Sequence, residues 1–193
     1  MRLGIFGGSF DPPHVGHLLV AEDACDQLAL DRLVFVPAAV QPLKAGRHVT
    51  GAAHRLAMVR LLAEGNSRFD VSSAEVDRSG LSFTVETLGH FAAEFPAAER
   101  FLLVGADVLA TFAQWREPER VTQLARLVVL HRADSAPAAI PAGVAADAIR
   151  QLATRRVDVS STEIRQRVQM GKPVRGFVTD NVAAYIARHG LYR

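Results

Sequence analysis

MRLGIFGGSFDPPHVGH, residues 1–17, sets out the beginning of an α/β fold. The apolar run at residues 3–6 has the length and composition of a buried strand, and we expect the two glycines after it to end that strand. The two prolines then favour an extended turn, because proline fixes φ and keeps the preceding residue out of the helical region. Apolar positions next recur at helical spacing, at His17, Val20, Ala21, Ala24 and Leu28. The predicted order is strand, glycine turn and helix.

The start of this predicted helix suits an anion. The first backbone N–H groups of a helix have no partner within it, and the helix dipole favours negative charge there. His14 and His17 lie three residues apart at that start, so both can face the end of the strand. Other interpretations are a purely geometric turn, a metal-binding histidine pair without the usual H-E-x-x-H pattern, and a core position for His17. The string as a whole favours a phosphate site.

Later parts of the sequence continue the alternation of strands and helices. A second buried-strand pattern at 33–36 completes a β-α-β unit, which implies parallel strands joined by a right-handed crossover. Further strands are predicted at 69–71, 101–104, 127–130 and 157–159. Further helices are predicted at 53–63, from Ser82 or Thr84 onward, from Asp107 to about Trp115, near 147–153 and at about 179–189. Residues 75–80 and 134–146 have loop composition, and Arg55 is expected on a solvated helix face.

Composition and charge narrow the class of protein. The 193 residues are 49% hydrophobic, which is enough for one domain with a substantial core, and we predict a single domain over 1–193. The net charge is only +2, and Lys44 and Lys172 are the only lysines. The chain has no block of like charge and no interleaving of aromatic and basic residues. These features argue against nucleic acid as a partner and favour small anionic ligands.

Cysteine usage and hydropathy indicate a compartment. Cys25 is the only cysteine, so the chain forms no internal disulfide, and we expect a reducing, cytoplasmic environment. The apolar run near the start is too short for a signal peptide and is interrupted by glycines. No segment approaches the roughly 20 apolar residues of a membrane span, so we expect no membrane partner.

The string GGSFDPPHVGH at residues 7–17 resembles the H-x-G-H signature of the nucleotidyltransferase superfamily. Its form G-G-[ST]-F-D-P-x-H-x-G-H is similar to that of the bacterial nicotinate-mononucleotide adenylyltransferases. The resemblance implies a Rossmann-like open, mainly parallel α/β sheet with helices on both faces and a nucleotide site at the carboxyl ends of the strands. The reaction it implies joins ATP and nicotinate mononucleotide into deamido-NAD and pyrophosphate. Mg²⁺ would be carried by the ATP phosphates, without a protein metal site.

A second motif of the resembled family lies at SSTEIR, residues 160–165. Ser160 and Glu163 have the spacing of a capping box, which explains neither Thr162 nor Arg165. In the resembled family, hydroxyls, backbone N–H groups and the arginine at such a helix start hold the triphosphate. The catalytic residues implied are His14 and His17. The implied ATP-binding residues are Gly7, Gly8, Ser9, Phe10, Gly16, Lys44, Gly105, Asp107, Ser161, Thr162 and Arg165.

The acceptor side of the site is implied by three further matches. The segment SFTVETL at 82–88 matches one that contacts the nicotinate end, and the tryptophan and the arginine after a strand also have counterparts. The nicotinate mononucleotide-binding residues implied are Thr84, Thr87, Trp115 and Arg132. Thr84 could instead cap a helix, and Trp115 could instead belong to the core. The chain departs from the family pattern at Leu43, where a histidine is usual, and after Arg132, where Ala133 replaces a proline.

Three alternative functions stay open on the sequence alone. The first is a sister adenylyltransferase that acts on nicotinamide mononucleotide or phosphopantetheine. The second is a nucleotide-binding module without activity, and the third is a metal-dependent hydrolase that uses the histidine pair. We expect a monomer or a small homo-oligomer.

Overall fold

The strand that comes first in the sequence lies in the middle of the sheet. The computed structural model describes residues 1–42, 49–132 and 148–193, with Asp107 and Arg132 described by their backbone alone. Within these residues a parallel sheet has the order β3-β2-β1-β4-β5-β6. The strands are β1 (Arg2–Gly8), β2 (Arg32–Pro37), β3 (Phe69–Val71), β4 (Glu99–Gly105), β5 (Arg126–Arg132) and β6 (Ile149–Thr154).

Helices lie between most of the described strands and after the last one. They are α1 (Val15–Leu28), α2 (Ala52–Ala63), α3 (Ala74–Arg78), α4 (Thr84–Glu94), α5 (Ala106–Leu109), α6 (Pro118–Leu124), α7 (Ser161–Gln169) and α8 (Asp180–Arg188). A short 3₁₀ turn, Phe112–Gln114, follows α5. In the described part of the chain, no helix combines the length and the apolar character needed to cross a membrane.

The sheet has a hydrophobic core on each face, because successive strand residues point to opposite sides. In β2, Leu33 and Phe35 pack on one side and Val34 and Val36 on the other, and all four are buried. The first side is covered by residues of α1, α2, α7 and α8, and the second by residues of α4, α5 and α6. The open, parallel α/β sheet with helices on both faces is therefore confirmed.

The topology reverses direction beside β1, and this point locates the cleft. From β1 the chain proceeds outward to β2 and β3, then returns to place β4 on the other edge of β1. The connections after β1 and β4 therefore leave on opposite sides and open a crevice at the carboxyl ends of these two strands. Gly8 and Gly105 are the last residues of the two strands. Ligands bind at this position in doubly wound sheets.

Several local predictions are wrong. Gly7 and Gly8 continue β1, paired with Val36 and Pro37, instead of ending it. Residues 75–80 are mostly the short helix α3, in which Glu75 is buried and accepts a hydrogen bond from Thr87. The helix from Asp107 to Trp115 is interrupted: α5 ends at Leu109 and the 3₁₀ turn follows.

The predictions for residues 147–159, before the second motif, are also wrong. A helix is predicted near 147–153, but the described residues form β6, because the segment pairs with β5 along its whole length and buries Ile149, Leu152 and Thr154. Consequently the strand predicted at 157–159 is wrong, since β6 already occupies the edge next to β5. The sequence prediction also missed α6, which has Pro118 at its first turn. The loop predicted at 134–146 lies outside the described residues.

Candidate active site

A cleft of about 680 Å³ lies at the carboxyl ends of the central strands. It brings together residues from motifs that lie up to 158 positions apart, between Gly7 and Arg165. The candidate residues that line it are Gly7, Gly8, Ser9, Phe10, His14, Gly16, His17, Thr84, Thr87, Gly105, Trp115, Ser161, Thr162 and Arg165. Lys44 lies outside the described residues. Asp107 and Arg132 are placed by their backbone in α5 and at the end of β5.

The two histidines form a stacked pair at the start of α1. Their ring centroids are 3.8 Å apart, and His14 is the residue that precedes the helix. Nδ1 of His17 accepts a hydrogen bond from the backbone N–H of His14 at 3.1 Å. We therefore assign the proton of the neutral His17 ring to Nε2, which becomes a donor. The backbone of His14 thus fixes the tautomer of the His17 ring, while the two rings pack against each other.

Burial keeps both rings neutral. It lowers the pKa of His14 to about 4, and it lowers the pKa of His17 well below its ordinary value, with a smaller contribution from the charge of His14. His17 also packs against the ring of Phe10, with centroids 5.0 Å apart, and lies near Phe6. At neutral pH the pair therefore offers hydrogen-bond donors, and not positive charges, to a ligand.

Two glycines allow this aromatic packing. A Cβ on Gly16 would lie 2.9 Å from Nδ1 of His14, and a Cβ on Gly8 would lie 2.9 Å from the ring of Phe10. Nδ1 of His14 is buried there and has no hydrogen-bond partner among the described residues. Phe10 itself has φ of 50° and is 2% exposed, so its side chain serves the core and only its backbone is placed to meet a ligand.

The start of α7 lies beside the same loop. The capping prediction for Ser160 is confirmed, since its Oγ accepts from the backbone N–H of Glu163 at 3.1 Å. Ser161 Oγ donates to the carbonyl of Pro12 at 2.8 Å, and Arg165 Nη1 donates to the carbonyl of Asp11 at 2.7 Å. The two helix starts predicted to hold phosphates are thus joined directly. Residues of both helix starts therefore line one cleft.

An ion pair between the buried carboxylate of Asp23 and the exposed side chain of Arg155 holds the approach to α7. Arg155, just after β6, donates from Nε and Nη2 to the carboxylate of Asp23 in α1, at 2.9 and 2.6 Å to Oδ1. Burial alone raises the pKa of Asp23, but the hydrogen bonds and charge of Arg155 outweigh it and lower the pKa. Asp23 therefore stays ionised, and it anchors the segment that leads to the second motif.

The opposite wall of the cleft is formed by the start of α4. Phe83, and not Ser82 or Thr84, precedes the helix, and no side chain caps it. Thr87 is buried and its Oγ1 donates to Glu75 at 2.5 Å, so its hydroxyl proton is already used. Burial raises the pKa of Glu75, although hydrogen bonds from Thr87 and Ser82 oppose the shift. Thr84 lines the cleft at the first position of α4.

Trp115 lies at the mouth of the cleft, partly buried. Its Nε1 donates to Oγ1 of Thr111 at 3.3 Å, and its ring lies 5.2 Å from that of Phe112. Trp115 can therefore have both of the roles considered for it. It packs against the hydrophobic core that α4, α5 and α6 cover, and it also lines the cleft. Ser9, on the other side, donates from Oγ to Gln41 at 2.9 Å.

Sequence reasoning missed the charged and polar residues behind the cleft. Arg55 was expected in solvent, but it is 2% exposed, so that prediction is wrong. Arg55 shares a helix face with the buried residues Met58, Val59 and Leu62, at spacings of three, four and seven. This spacing could have predicted the burial of Arg55 from the sequence. Glu75 and Tyr192 had no such pattern, since their burial depends on contacts far away in the sequence.

The arrangement can bind a polyphosphate and polarise it. Neutral imidazole donors lie at one helix start, and hydroxyls with a guanidinium lie at the other. Such groups stabilise charge that develops on phosphate oxygens. A group of three or more histidine, cysteine, aspartate or glutamate side chains that could hold a metal is absent from the part of the chain that the structure describes.

Comparison with known proteins first defines the class. Residues 5–167 match the family described as cytidylyltransferase-like. A solved structure of the Plasmodium falciparum nicotinic acid mononucleotide adenylyltransferase, complexed with NaAD, has the same fold, with a TM-score of 0.78 at 16% identity. The comparison covers 99% of this chain and 97% of that one.

Closer relatives define the branch within that class. A probable nicotinate-nucleotide adenylyltransferase of Gemmatimonas aurantiaca is 53% identical over 100% of this chain and 93% of its own length. One from Roseiflexus sp. (strain RS-1) is 45% identical over 99% of this chain and 98% of its own length. The chain therefore belongs to the nicotinate-nucleotide adenylyltransferases, and the resemblance inferred from residues 7–17 is confirmed.

Proposed function

We propose that this enzyme transfers AMP from ATP to nicotinate mononucleotide, giving deamido-NAD and pyrophosphate in NAD biosynthesis. The observation that carries the proposal is the meeting of two helix starts in one cleft, joined through Pro12 and Asp11. The names of relatives up to 53% identical support the choice of substrates.

In the reaction, a phosphate oxygen of nicotinate mononucleotide attacks the α-phosphorus of ATP. That oxygen is anionic near neutral pH, so the enzyme needs neither a general base nor a protein nucleophile. A new P–O bond forms, while the bond from the α-phosphorus to the oxygen that bridges to the β-phosphate breaks. Pyrophosphate leaves with that electron pair. Catalysis then consists of alignment and of stabilising negative charge.

We assign charge stabilisation and triphosphate binding to different residues of the cleft. His14 and His17 donate from Nε2 to phosphate oxygens as charge builds up on them, and their burial makes each hydrogen bond stronger than it would be in water. Arg165, Ser161 and Thr162 hold the triphosphate. The backbone of Gly7, Gly8 and Ser9 forms the wall that a nucleotide can approach closely, since the Cβ position of Gly7 is open.

Mg²⁺ fits this site as part of the substrate. The two buried carboxyl groups of the cleft are already engaged, Asp11 by Tyr192 and the backbone of Thr50, and Glu75 by Thr87, so phosphate oxygens would supply the ligands. Bound to ATP, Mg²⁺ would neutralise charge on the departing pyrophosphate. Lys44, Gly105 and Asp107 are proposed on the ATP side of the site.

The acceptor would bind between α4 and Trp115. The start of α4 has backbone N–H groups that suit the carboxylate of nicotinate, and Thr84 lies in its first turn. The indole of Trp115 would stack on the pyridine ring. Thr87 would act through its backbone and through Glu75, because its hydroxyl is engaged there. Arg132 is proposed near the acceptor phosphate.

The cysteine content bears on the compartment in which the enzyme works. A single buried cysteine, Cys25, whose pKa burial raises to about 11, fits a reducing, cytoplasmic compartment. We propose no nucleic-acid or membrane partner. We propose a monomer or a small homo-oligomer.

Product analysis tests the proposal. Purified enzyme is incubated with ATP, Mg²⁺ and, in separate reactions, nicotinate mononucleotide, nicotinamide mononucleotide or phosphopantetheine. We expect equal amounts of deamido-NAD and pyrophosphate in the first reaction and much slower turnover in the others. A preference for another acceptor would assign a sister activity. Hydrolysis that stops with a zinc chelator would assign a metal-dependent hydrolase, and ATP binding without turnover a non-catalytic module.

A further inference from the structure

A buried arginine joins the loops behind the cleft. Arg55 does not line the cavity, but its guanidinium donates to three carbonyls. Nη1 donates to Ser9 at 2.8 Å, Nη2 to Ala39 at 2.9 Å and Nε to Thr50 at 2.8 Å. The segments after β1 and β2 and the approach to α2 are thereby held at fixed separations. Breaking such a set would leave buried carbonyls without donors.

Asp11 is the second centre of this network. The carboxylate is 7% exposed. Its Oδ1 accepts from the hydroxyl of Tyr192 at 2.7 Å and its Oδ2 from the backbone N–H of Thr50 at 3.3 Å. The carbonyl of the same residue accepts from Arg165 Nη1 at 2.7 Å. Asp11 therefore connects Tyr192, which follows α8, to the guanidinium that lines the cleft.

The phenol of Tyr192 is a permanent donor in this network. Burial raises its pKa far above the ordinary value, and the neighbouring Asp11 carboxylate contributes in the same direction. The ring packs beside the larger core cluster, and the backbone of Tyr192 has φ of 63°. The hydroxyl can therefore be removed by Tyr192→Phe without loss of the ring's packing.

We propose that Tyr192 is a positioning residue for ATP. By holding the Asp11 carboxylate it fixes the Asp11 carbonyl, and that carbonyl fixes the direction of the Arg165 guanidinium toward the triphosphate. Arg55 supports the same segment from behind through Ser9. The inference deepens the proposed function, on which it rests, because it assigns the residue that aligns one of its phosphate-binding groups.

The test compares the two tyrosines of the chain. Tyr185→Phe is the matched control: Tyr185 is in α8, its hydroxyl lies 3.0 Å from Nδ1 of His54, and it is not among the described residues that line the cleft. In Tyr192→Phe, the Kd of a non-hydrolysable ATP analogue and the KM for ATP should rise, by up to roughly tenfold, because Arg165 is no longer aligned for its charge-assisted hydrogen bonds to phosphate. The KM for nicotinate mononucleotide should stay within about twofold.

A double-mutant cycle distinguishes an effect of Tyr192 on the position of Arg165 from a general destabilisation of the site. If Tyr192 acts through Arg165, Tyr192→Phe should have almost no effect on analogue binding in the Arg165→Ala background. An unchanged Kd in the single variant overturns the proposal, and so does an equal rise in both KM values or an undiminished effect in the double variant. Analogue binding needs no acceptor, so wild-type enzyme that binds ATP but forms no deamido-NAD would refute the proposed function and leave this test intact.

Discussion

The two helix starts that meet in the cleft present different kinds of polar group to a ligand. At α1, two buried imidazoles are neutral, stacked and locked by a backbone hydrogen bond. At α7, Thr162 is exposed and Arg165 is partly exposed, and their hydrogen bonds are with each other and with the neighbouring loop. A rigid, water-poor group of donors suits the transition state, whereas a solvated cation suits the capture of a highly charged substrate. The comparison predicts effects on kcat at α1 and on ATP affinity at α7.

The largest effect should come from His17→Ala. Removing one preorganised donor to a developing charge costs about 10²–10³ in kcat, and the ATP analogue should still bind. Steady-state kinetics and analogue titration measure the two quantities. His90→Ala is the control, since His90 is a half-exposed histidine on α4 that pairs with Glu94 outside the cleft. Wild-type turnover in folded His17→Ala would refute the mechanism.

Arg165→Ala should instead weaken ATP binding, by roughly 30-fold, because it removes charge-assisted hydrogen bonds to phosphate. The loss should shrink as salt is raised, since a partly solvated charge is screened, whereas the His17→Ala defect should not. Calorimetric titration with a non-hydrolysable analogue at two salt concentrations checks both statements. Arg167→Ala, on the same helix but bonded to the carbonyl of Pro173, is the control. Unchanged affinity would remove Arg165 from the site.

The dependence of stability on pH is the third expected effect. The folded pKa of His14 is about 4, below the 6.5 of the unfolded chain, so the unfolded state binds the proton more tightly. Stability is therefore full above pH 6.5 and falls as the pH drops toward 4. For one such group, the free energy of unfolding should decrease by about 2 kcal/mol between pH 7.5 and 5.

Urea unfolding of the ligand-free enzyme at these two pH values measures the decrease. His14→Asn should lose about 2 kcal/mol less than the wild type over the same interval, because the buried titrating group is gone. Equal losses in the two proteins would show that the imidazole of His14 is not held neutral by burial.

The sequence predicted those parts of the fold that depend on neighbouring residues. The β1-α1-β2 unit and the capping of α7 by Ser160 are local, and both are as expected apart from their ends. The assignment of β6 failed because a short segment reads as a strand only when its partner strand is known. The prediction for Arg55 was wrong for a different reason. Its charge suggested an exposed side chain, although its helical spacing with apolar residues indicated a buried one.

The parts of the candidate site that could be predicted are those whose residues belong to a recognisable sequence motif. The histidine pair and Arg165 belong to recognisable strings, so their meeting could be anticipated. Glu75 and Tyr192 could not be found in this way, because each is one polar residue whose role depends on a contact, to Thr87 or to Asp11, that only the folded chain creates.

The central position of the first strand has a consequence for synthesis on the ribosome. Strand β1 pairs with β2 soon after it emerges, but its other edge must wait for β4, which follows about 90 residues later. During that interval the nascent chain presents an apolar strand with unpaired backbone groups, a form prone to aggregation. Chaperones that bind extended apolar segments should therefore engage this polypeptide before residue 99 has emerged.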